Sequence, residues 1–312
     1  MSVKPLYLTE ADITRLLPMG ECIALVRAAF VRLGRGEAIN HPRRRLILPT
    51  RSALHYMAGA DGGYYGIKVY STNPGHEPHF RVLLYRAADA ALLAILEANS
   101  LGQIRTGAAS GLATDLLARP DARTLAVIGS GFQARAQMEA ILAVRRFERI
   151  RVWSRLKERR ERFAADCTRA FGVAVDAASD AEDAVRGADV LVTATSSATP
   201  VVASEWVADG AHVNAMGSNQ AKRREIPSQL VDRAGLIVVD SCEQSRMESG
   251  DLLLALDEQG WGRVVELQEL VAGRPGRTSA GEVTIFKSNG LAIEDVGAAG
   301  YVYERAIEEG PA

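Results

Sequence analysis

Residues 124–137 read TLAVIGSGFQARAQ, an apolar strand that runs directly into a glycine-containing turn followed by a helix. Gly129 allows the tight turn, Gly131 lets the backbone approach a pyrophosphate, and the small Ala134 lets helix and strand pack closely. The free N–H groups at the start of the helix favour phosphate. The stretch therefore predicts a dinucleotide-binding turn rather than a strand-to-helix connection without a ligand.

The alternation of strand and helix continues through the second half of the chain. Apolar strands are expected at 124–130, 149–154, 190–196, 212–218 and 236–241, and helical segments lie between them, as at 132–145 and 157–171. Continuous apolar strands that alternate with helices indicate a parallel sheet covered on both faces. We predict an α/β fold with a doubly wound Rossmann domain over residues 113–292.

The end of the second strand of such a domain indicates which cofactor is used. NAD enzymes usually place Asp or Glu there to bind the ribose 2′-hydroxyl. Here the strand at 149–154 ends in Ser154 and Arg155, with Lys157 and Arg159 just behind. An arginine can pair with a 2′-phosphate, whereas an acid would repel it. The prediction is NADP(H), with NAD(H) as the alternative.

The first hundred residues have a different pattern. Residues 9–33 predict two amphipathic helices, the first capped by Thr9 with Asp12 reaching back. Short apolar runs broken by turn residues over 44–99 predict a mostly antiparallel sheet. Residues 293–309 predict a last helix, so a mixed α+β domain of residues 1–112 plus 293–312 is expected.

Composition narrows the class of protein. The 312 residues carry 37 basic and 38 acidic side chains, a net charge of -1, and 47% are hydrophobic. A chain of this kind can bury a core and is not expected to be disordered. The charge balance argues against nucleic acid as a partner. No apolar run is long enough for a membrane span, and the first residues lack a signal-peptide core, so a cytoplasmic protein is expected.

The cysteines and histidines give no metal-site pattern. Cys22, Cys167 and Cys242 are far apart in the sequence and form no CxxC pair, so reduced thiols are expected. His76 and His79 flank Glu-Pro in a Pro/Gly-rich stretch, which favours an exposed loop over a metal site.

Cationic residues in the first region are candidates for substrate binding. They are the arginines of PRRRL (42–46), Lys68 within the apolar strand GIKV, and Arg105. A lysine on an apolar strand either extends its ammonium to water or faces an anion, and Lys68 taken alone favours the first reading.

Six stretches in order carry a family resemblance. The chain resembles the ornithine cyclodeaminase/mu-crystallin family at PRRRLILP (42–49), GIKVYS (66–71), LGQIRTGAASGLAT (101–114), TLAVIGSGFQARAQ (124–137), VNAMGSNQAKRREI (213–226) and TIFKSNGLAIEDVGAA (284–299). The resemblance implies a homodimer whose subunits each have a Rossmann domain and a substrate and dimerisation domain. The activities known in this family include ornithine cyclodeamination, reduction of cyclic ketimines or pyrroline carboxylate, and amino-acid dehydrogenation.

The resemblance also implies roles for single residues. Arg44 and Arg105 would bind the substrate carboxylate, although the adjacent Arg45 leaves the register of the first one open, and Lys68 would lie near the carboxylate and the imine nitrogen. The cofactor would contact Thr106, Gly129, Gly131, Phe132, Gln133, Ser154, Arg155, Thr195, Ser196, Gly217, Ser218, Ser288 and Asn289.

One catalytic position departs from ornithine cyclodeaminase. An aspartate there handles the side-chain amine of the substrate, and this chain has Asn219, which cannot ionise. The substitution argues against ornithine. Glu225 and Asp295 lie nearby in the family pattern, but we interpret them as helix-start and surface acids.

Together these features predict an NADPH-dependent reductase of an α-imino acid or cyclic ketimine, equivalent to an amino-acid dehydrogenase in reverse. A small amino or imino acid would be its partner. The alternatives are an ornithine cyclodeaminase, which would release ammonia, and a non-catalytic NADPH-dependent ligand binder.

Overall fold

The computed structural model describes residues 4–310, which form two compact units. One unit contains the chain up to Ala108 together with the residues from Gly290 onward, and the other is Ala109–Asn289. The predicted boundaries lie a few residues further along the chain at both points.

The first unit contains the antiparallel strand pairs of residues 4–310. Its elements in chain order are β1 (Leu6–Leu8), α1 (Glu10–Leu16), α2 (Met19–Gly34), β2 (Ile39–Asn40), β3 (Arg44–Ile47), β4 (Ala53–Asp61), β5 (Tyr64–Thr72), β6 (Phe80–Arg86), β7 (Leu92–Glu97) and α3 (Asn99–Leu117), which continues beyond the boundary.

The sheet of the first unit has the strand order β1-β7-β6-β5-β4-β2, and β3 pairs with β4. All neighbours are antiparallel except β1 and β7, which run parallel. The predicted mostly antiparallel sheet is therefore confirmed. Thr9 caps α1 in a reciprocal pair of hydrogen bonds with Asp12, as the sequence predicted.

The second unit alternates strand and helix almost throughout. Its elements are β8 (Thr124–Ile128), α4 (Phe132–Val144), β9 (Arg149–Trp153), α5 (Lys157–Phe171), β10 (Val175–Ala177), α6 (Ala181–Val185), β11 (Val190–Thr193), β12 (His212–Ala215), α7 (Ser228–Arg233), β13 (Leu236–Val239), α8 (Cys242–Glu248), α9 (Gly250–Leu253), α10 (Glu258–Trp261), β14 (Val264–Glu266), α11 (Leu267–Val271) and β15 (Thr284–Lys287).

These eight strands form one parallel sheet in the order β10-β9-β8-β11-β12-β15-β13-β14. Apolar cores cover both faces, because Ala126 and Ile128 of β8 point into one core while Leu125 and Val127 point into the other. The predicted Rossmann architecture is confirmed. Since all strands are parallel, their carboxyl ends lie along one edge, where ligands of such sheets bind.

Helix α12 (Ala292–Glu309) returns the chain to the first unit, as predicted, and packs across β4 and β5. The packing is close at Gly59, where an added Cβ would lie 3.0 Å from the backbone nitrogen of Ile293. Neither α12 nor any other helix within residues 4–310 is long and apolar enough to cross a membrane.

His212 in β12 is completely buried, and its Nδ1 lies 3.0 Å from Thr284 Oγ1 of the neighbouring β15. Burial, reinforced by the charge of Arg277, lowers the pKa of His212 to about 3. Folded protein therefore keeps a neutral imidazole at pH 5, whereas the unfolded chain, with a histidine pKa of about 6.5, binds a proton there.

Stability should fall as the pH drops through about 6.5, and this histidine alone should contribute about 2 kcal/mol of the loss between pH 7 and pH 5. Urea unfolding of the wild type and of His212→Asn at both pH values measures this change in the free energy of unfolding. The variant should lose about 2 kcal/mol less than the wild type. Equal losses would show that His212 does not contribute.

Candidate active site

The turn between β8 and α4 has the geometry of a phosphate cradle. Gly129 has φ +127°, and a Cβ at this residue would collide with the carbonyl oxygen of Ala194, so only glycine fits. Gly131 is the N-cap residue of α4 and provides no side-chain cap, and no heavy atom lies within 4 Å of where its Cβ would be. The N-terminus of this 13-residue helix thus lies at the turn, and helix N-termini favour phosphate.

A cavity of about 630 Å³ opens beside this turn at the carboxyl edge of the sheet. Among the residues that line it are six of the predicted cofactor ligands: Gly129, Gly131, Ser154, Arg155, Thr195 and Ser196. The structure therefore brings together residues from β8, β9 and the segment after β11. A cradle and a cavity of this kind fit a nicotinamide dinucleotide.

The tip of β9 gives the cavity a polar, cationic end. Ser130 Oγ donates a hydrogen bond to Ser154 Oγ at 2.8 Å, and Arg155 and Arg159 line the wall. Along this cavity no acidic side chain from residues 4–310 is present. The arrangement can accept a negatively charged group on the ribose.

Other predicted cofactor residues lie outside the lining of this cavity. Phe132 is mostly exposed at the start of α4, with Gln133 next to it. In the first unit, Thr106 Oγ1 donates to the carbonyl of Gly102 at 2.6 Å. Ser288 Oγ and the Asn289 backbone N–H both donate to Asp240 Oδ2, at 3.0 and 2.6 Å, and both residues are buried.

The segment after β12 contains three predicted residues: Gly217, Ser218 and Asn219. The Gly217 N–H donates to Glu225 Oε2 at 2.6 Å, the Ser218 carbonyl accepts from Lys287 Nζ at 2.5 Å, and Asn219 is half-buried. Our interpretation of Glu225 as a helix-start or surface acid is wrong, because its side chain is completely buried among hydrogen-bond donors.

A buried ion cluster occupies the first unit. Lys68 Nζ on β5 donates to Asp295 Oδ1 at 2.8 Å, and Arg105 Nε on α3 donates to the same oxygen at 3.0 Å. Arg105 Nη1 also donates to Glu294 Oε2 at 2.7 Å. Asp295 does begin a helix, as expected, but the prediction that it is a surface acid is wrong, since α12 buries it against these two cations.

The cluster sets the protonation of its members. Burial, together with the nearby charge of Arg105, lowers the pKa of Lys68 to about 8. Burial opposes the charge of Arg105, but Asp295 and Glu294 outweigh it and raise the pKa of that guanidinium further. Lys68 is thus the group whose proton can be exchanged near neutral pH, while Arg105 remains a fixed cation.

Strand register places Arg43 rather than Arg44 beside Lys68. Arg44 lies opposite Tyr56 and Met57 lies opposite Lys68, so Arg44 belongs to the other face of the sheet, where it is exposed. Arg43 is buried, and its Nη2 lies 3.6 Å from Met57 Sδ. Arg43 therefore lies on the Lys68 side of the sheet, and the predicted residue Arg44 does not.

An aromatic row lies next to the ammonium on this face. The His55 and Tyr70 rings stack at 4.5 Å between centroids, Tyr70 and Phe80 are 4.3 Å apart, and Lys68 Nζ lies 5.4 Å from the Phe80 centroid. His55 Nε2 is held 2.8 Å from Thr72 Oγ1. This row offers flat apolar surface beside the cations.

Sequence reasoning did not name Glu294 or Lys287. It dismissed Glu225, and among the arginines of PRRRL it chose Arg44 over Arg43. The two acids of LAIED follow an apolar run, and a charged pair at the start of an apolar helix was a usable signal of a buried partner. Glu225 gave no such signal, because it follows three basic residues in the sequence, Lys222, Arg223 and Arg224.

Over residues 4–310 there is no group of three or more His, Cys, Asp or Glu side chains arranged to hold a metal ion. His76 and His79 are both exposed in the connection between β5 and β6.

Comparison with known proteins assigns the family. The model of the ornithine cyclodeaminase/mu-crystallin family matches residues 3–310. The chain belongs to this family. It is 40% identical over 318 aligned residues to Delta(1)-pyrroline-2-carboxylate reductase of Bacillus thuringiensis subsp. konkukian, covering 98% of each protein. It is 36% identical over 232 residues to the ketimine reductase mu-crystallin of Mus musculus, covering 74% of this chain and 70% of that protein.

A solved relative has the same fold over nearly its whole length. The Delta(1)-pyrroline-2-carboxylate reductase of Thermococcus litoralis, solved with NADH and L-proline, superposes with a TM-score of 0.93 at 34% identity and 98% coverage of both chains. The family membership predicted from the six sequence stretches is confirmed.

Proposed function

We propose that this protein is an NAD(P)H-dependent reductase of cyclic α-imino acids, with Δ1-pyrroline-2-carboxylate as the representative substrate. The observation that carries the proposal is the buried cluster in which Lys68 and Arg105 share Asp295. Family members with closely similar sequences and structures are reductases of such imines.

The cations of the first unit suit a planar carboxylate. Arg43, Lys68 and Arg105 carry three positive charges, and the acids beside them, Glu294 and Asp295, carry two negative charges. An arginine binds a carboxylate through two parallel hydrogen bonds, which also fixes its plane. Arg43 therefore takes the role that the sequence gave to Arg44, with Arg105 as the second arginine.

Reduction of the imine needs one hydride and one proton. When bound, the dihydronicotinamide supplies the hydride to the imine carbon. Lys68 donates the proton to the ring nitrogen: with a pKa of about 8 it is protonated at neutral pH and still a competent acid. Asp295 holds the ammonium in place before transfer.

The cyclodeaminase alternative lacks a group for the second amine. Asn219 cannot be that group, and Glu225 accepts from donors on both carboxylate oxygens. Asp295 is engaged by Lys68 and Arg105. Neither buried acid replaces the aspartate of ornithine cyclodeaminase, so the proposal remains a reductase.

Two parallel assays on the purified protein test this function. One follows NADPH and NADH oxidation with Δ1-pyrroline-2-carboxylate, and the other follows ammonia release from L-ornithine with catalytic NAD(P)⁺. We expect cofactor oxidation without ammonia release. Ammonia release with proline formation would establish the cyclodeaminase, and tight cofactor binding with no turnover in either assay would favour a ligand-binding protein.

Gly102 in α3 provides a test of the position of Lys68. A Cβ at this residue would lie 2.9 Å from Lys68 Nζ, so Gly102→Ala should move the flexible ammonium away from Asp295. Alanine is better than glycine in a helix by about 0.5–1 kcal/mol, but disturbing the buried Lys68–Asp295 pair costs more, so the melting temperature should fall. We expect kcat/KM for the imine to fall about tenfold or more.

Gly20→Ala is the matched control, because Gly20 lies in α2 with no heavy atom within 4 Å of the added carbon. It should show the helix stabilisation alone, with unchanged kcat/KM. If Gly102→Ala keeps wild-type kcat/KM, the position of Lys68 is not required for the reaction.

For the cofactor we propose a preference for NADP(H), with Arg155 and Arg159 pairing with the 2′-phosphate and Ser154 donating a hydrogen bond. Support comes from their position in the cavity wall and from the absence of an acidic side chain there among residues 4–310. An acid at this point would favour the 2′-hydroxyl of NAD(H) instead.

Arg155→Ala should raise the Kd for NADPH about tenfold or more and leave the Kd for NADH nearly unchanged, because only the phosphate loses a charged partner. Nucleotide fluorescence titration measures both constants. Arg162→Ala is the control: Arg162 is an exposed arginine of α5 outside the cavity. Equal changes for both nucleotides would contradict the assignment.

We propose further that two copies of the chain associate through the exposed face of β3 and β4. Leu46, Leu54 and Tyr56 lie on this face beside Arg44, with Ile47 at the end of β3, and each of these apolar side chains is more than a third exposed. Contiguous exposed apolar surface favours a protein interface.

Leu46→Glu should convert a dimer to a monomer in sedimentation velocity, because it puts a charge in the apolar face of both copies. Ile307→Glu, a similar change at an exposed side chain of α12, should leave the dimer intact. A monomeric wild type would contradict the interface.

A further inference from the structure

A second buried charge network lies at the carboxyl edge of the parallel sheet. It contains Glu225, Asp251 and Lys287, each completely buried. No step of the proposed reaction uses these three residues. Burying three ionisable groups is costly, and apolar side chains of similar volume are often at least as stabilising. Their placement therefore calls for a role besides stability.

Glu225 joins the ends of two neighbouring strands. Its Oε1 accepts from the backbone N–H and the hydroxyl of Thr195, both at 2.6 Å. Its Oε2 accepts from the backbone N–H of Gly217 at 2.6 Å and from Thr193 Oγ1 at 2.9 Å. Each oxygen thus faces a backbone N–H, which can only donate, so the site requires a carboxylate with two accepting oxygens.

The other two charges fix the loop that carries Glu225. Asp251 Oδ1 accepts from the backbone N–H groups of Glu225 and Ile226, at 2.6 and 3.1 Å. Asp251 Oδ2 lies 3.0 Å from Lys287 Nζ, which in turn donates to the Ser218 carbonyl at 2.5 Å. The loop from 217 to 226, which includes Asn219, is therefore held at both ends.

Thr195 connects this network to the dinucleotide cradle. It lines the cavity, and its Cγ2 would lie 3.5 Å from a Cβ on Gly129. The backbone on either side of Thr195 thus forms part of the wall against which the glycine turn packs.

We propose that Glu225 is a positioning residue for the dinucleotide site, holding the backbone of Thr195 and Gly217 in the arrangement that receives the cofactor. This rests on dinucleotide binding as part of the proposed function, and it does not depend on which imine is reduced. Asp251 and Lys287 keep the loop that bears Glu225 in place.

Glu225→Gln tests the role, because the amide has the same shape but presents an NH₂ group to one of the backbone donors. We expect the Kd for NADPH, measured by fluorescence, to rise about tenfold. In the protein without nucleotide, amide exchange should accelerate at Thr195 and Gly217. Glu248→Gln is the matched control, because Glu248 is an equally buried glutamate whose carboxylate accepts from a different residue, Gln244, at 2.9 Å.

A second variant keeps the test open if Glu225→Gln does not fold. The added methyl of Gly217→Ala would collide with the Thr195 carbonyl and the Glu225 carboxylate, so it should weaken NADPH binding to a similar degree. Wild-type affinity in a folded Glu225→Gln or Gly217→Ala would overturn the positioning role. Absence of NADPH and NADH binding in the wild type would instead contradict the proposed function itself.

Discussion

Lys68, Arg105 and Asp295 are buried together, and none of them could be buried alone at an acceptable cost. A single unpaired charge in a protein interior costs several kcal/mol, so each member of the cluster depends on the others. The three come from β5, α3 and α12, elements separated by up to 227 positions in the chain. The return of α12 to the first unit is therefore a requirement of the site, because α12 supplies both acids.

The same constraint gives the cluster its chemistry. A lysine in water has a pKa near 10.4 and would be a poor acid at neutral pH. Burial and the neighbouring guanidinium lower the pKa of Lys68 to about 8, while the hydrogen bond to Asp295 stabilises the buried ammonium. In the second unit, the buried Glu225 carboxylate accepts hydrogen bonds from the backbone N–H groups of Thr195 and Gly217.

Local pattern was enough to predict most of the fold. The apolar run before Gly129, the strand at 149–153 and the helix at 157–171 are each specified by their own residues, and the Thr9 cap by two neighbours. By contrast, β15 pairs between β12 and β13, and no local signal shows that a strand so late in the chain is inserted there. The short β10 and β14 have too few residues for a periodic pattern.

The site was predictable only where its residues carry their own signal. The glycine turn, Lys68 and Arg105 stand out in the sequence. The choice between Arg43 and Arg44 depends on the register between β3 and β4. A shift of that register by one residue would move every side chain of β3 to the opposite face of the sheet. The burial of Asp295 and Glu225 depends on contacts with distant elements. A local reading placed Glu225 at the surface for that reason. It also placed Asp295 there, although the acid pair at the start of an apolar helix was a signal of burial.

The central claim is that the chain moves a hydride between a nicotinamide and the α carbon of a cyclic imino acid. The most direct measurement incubates the protein with Δ1-pyrroline-2-carboxylate and NADPH deuterated at C4 of the nicotinamide, and locates the label by NMR. The account predicts deuterium at Cα of proline, in a single configuration when the correct face of the cofactor is labelled. Proline without label from either face, or no proline in the presence of bound cofactor, would contradict it.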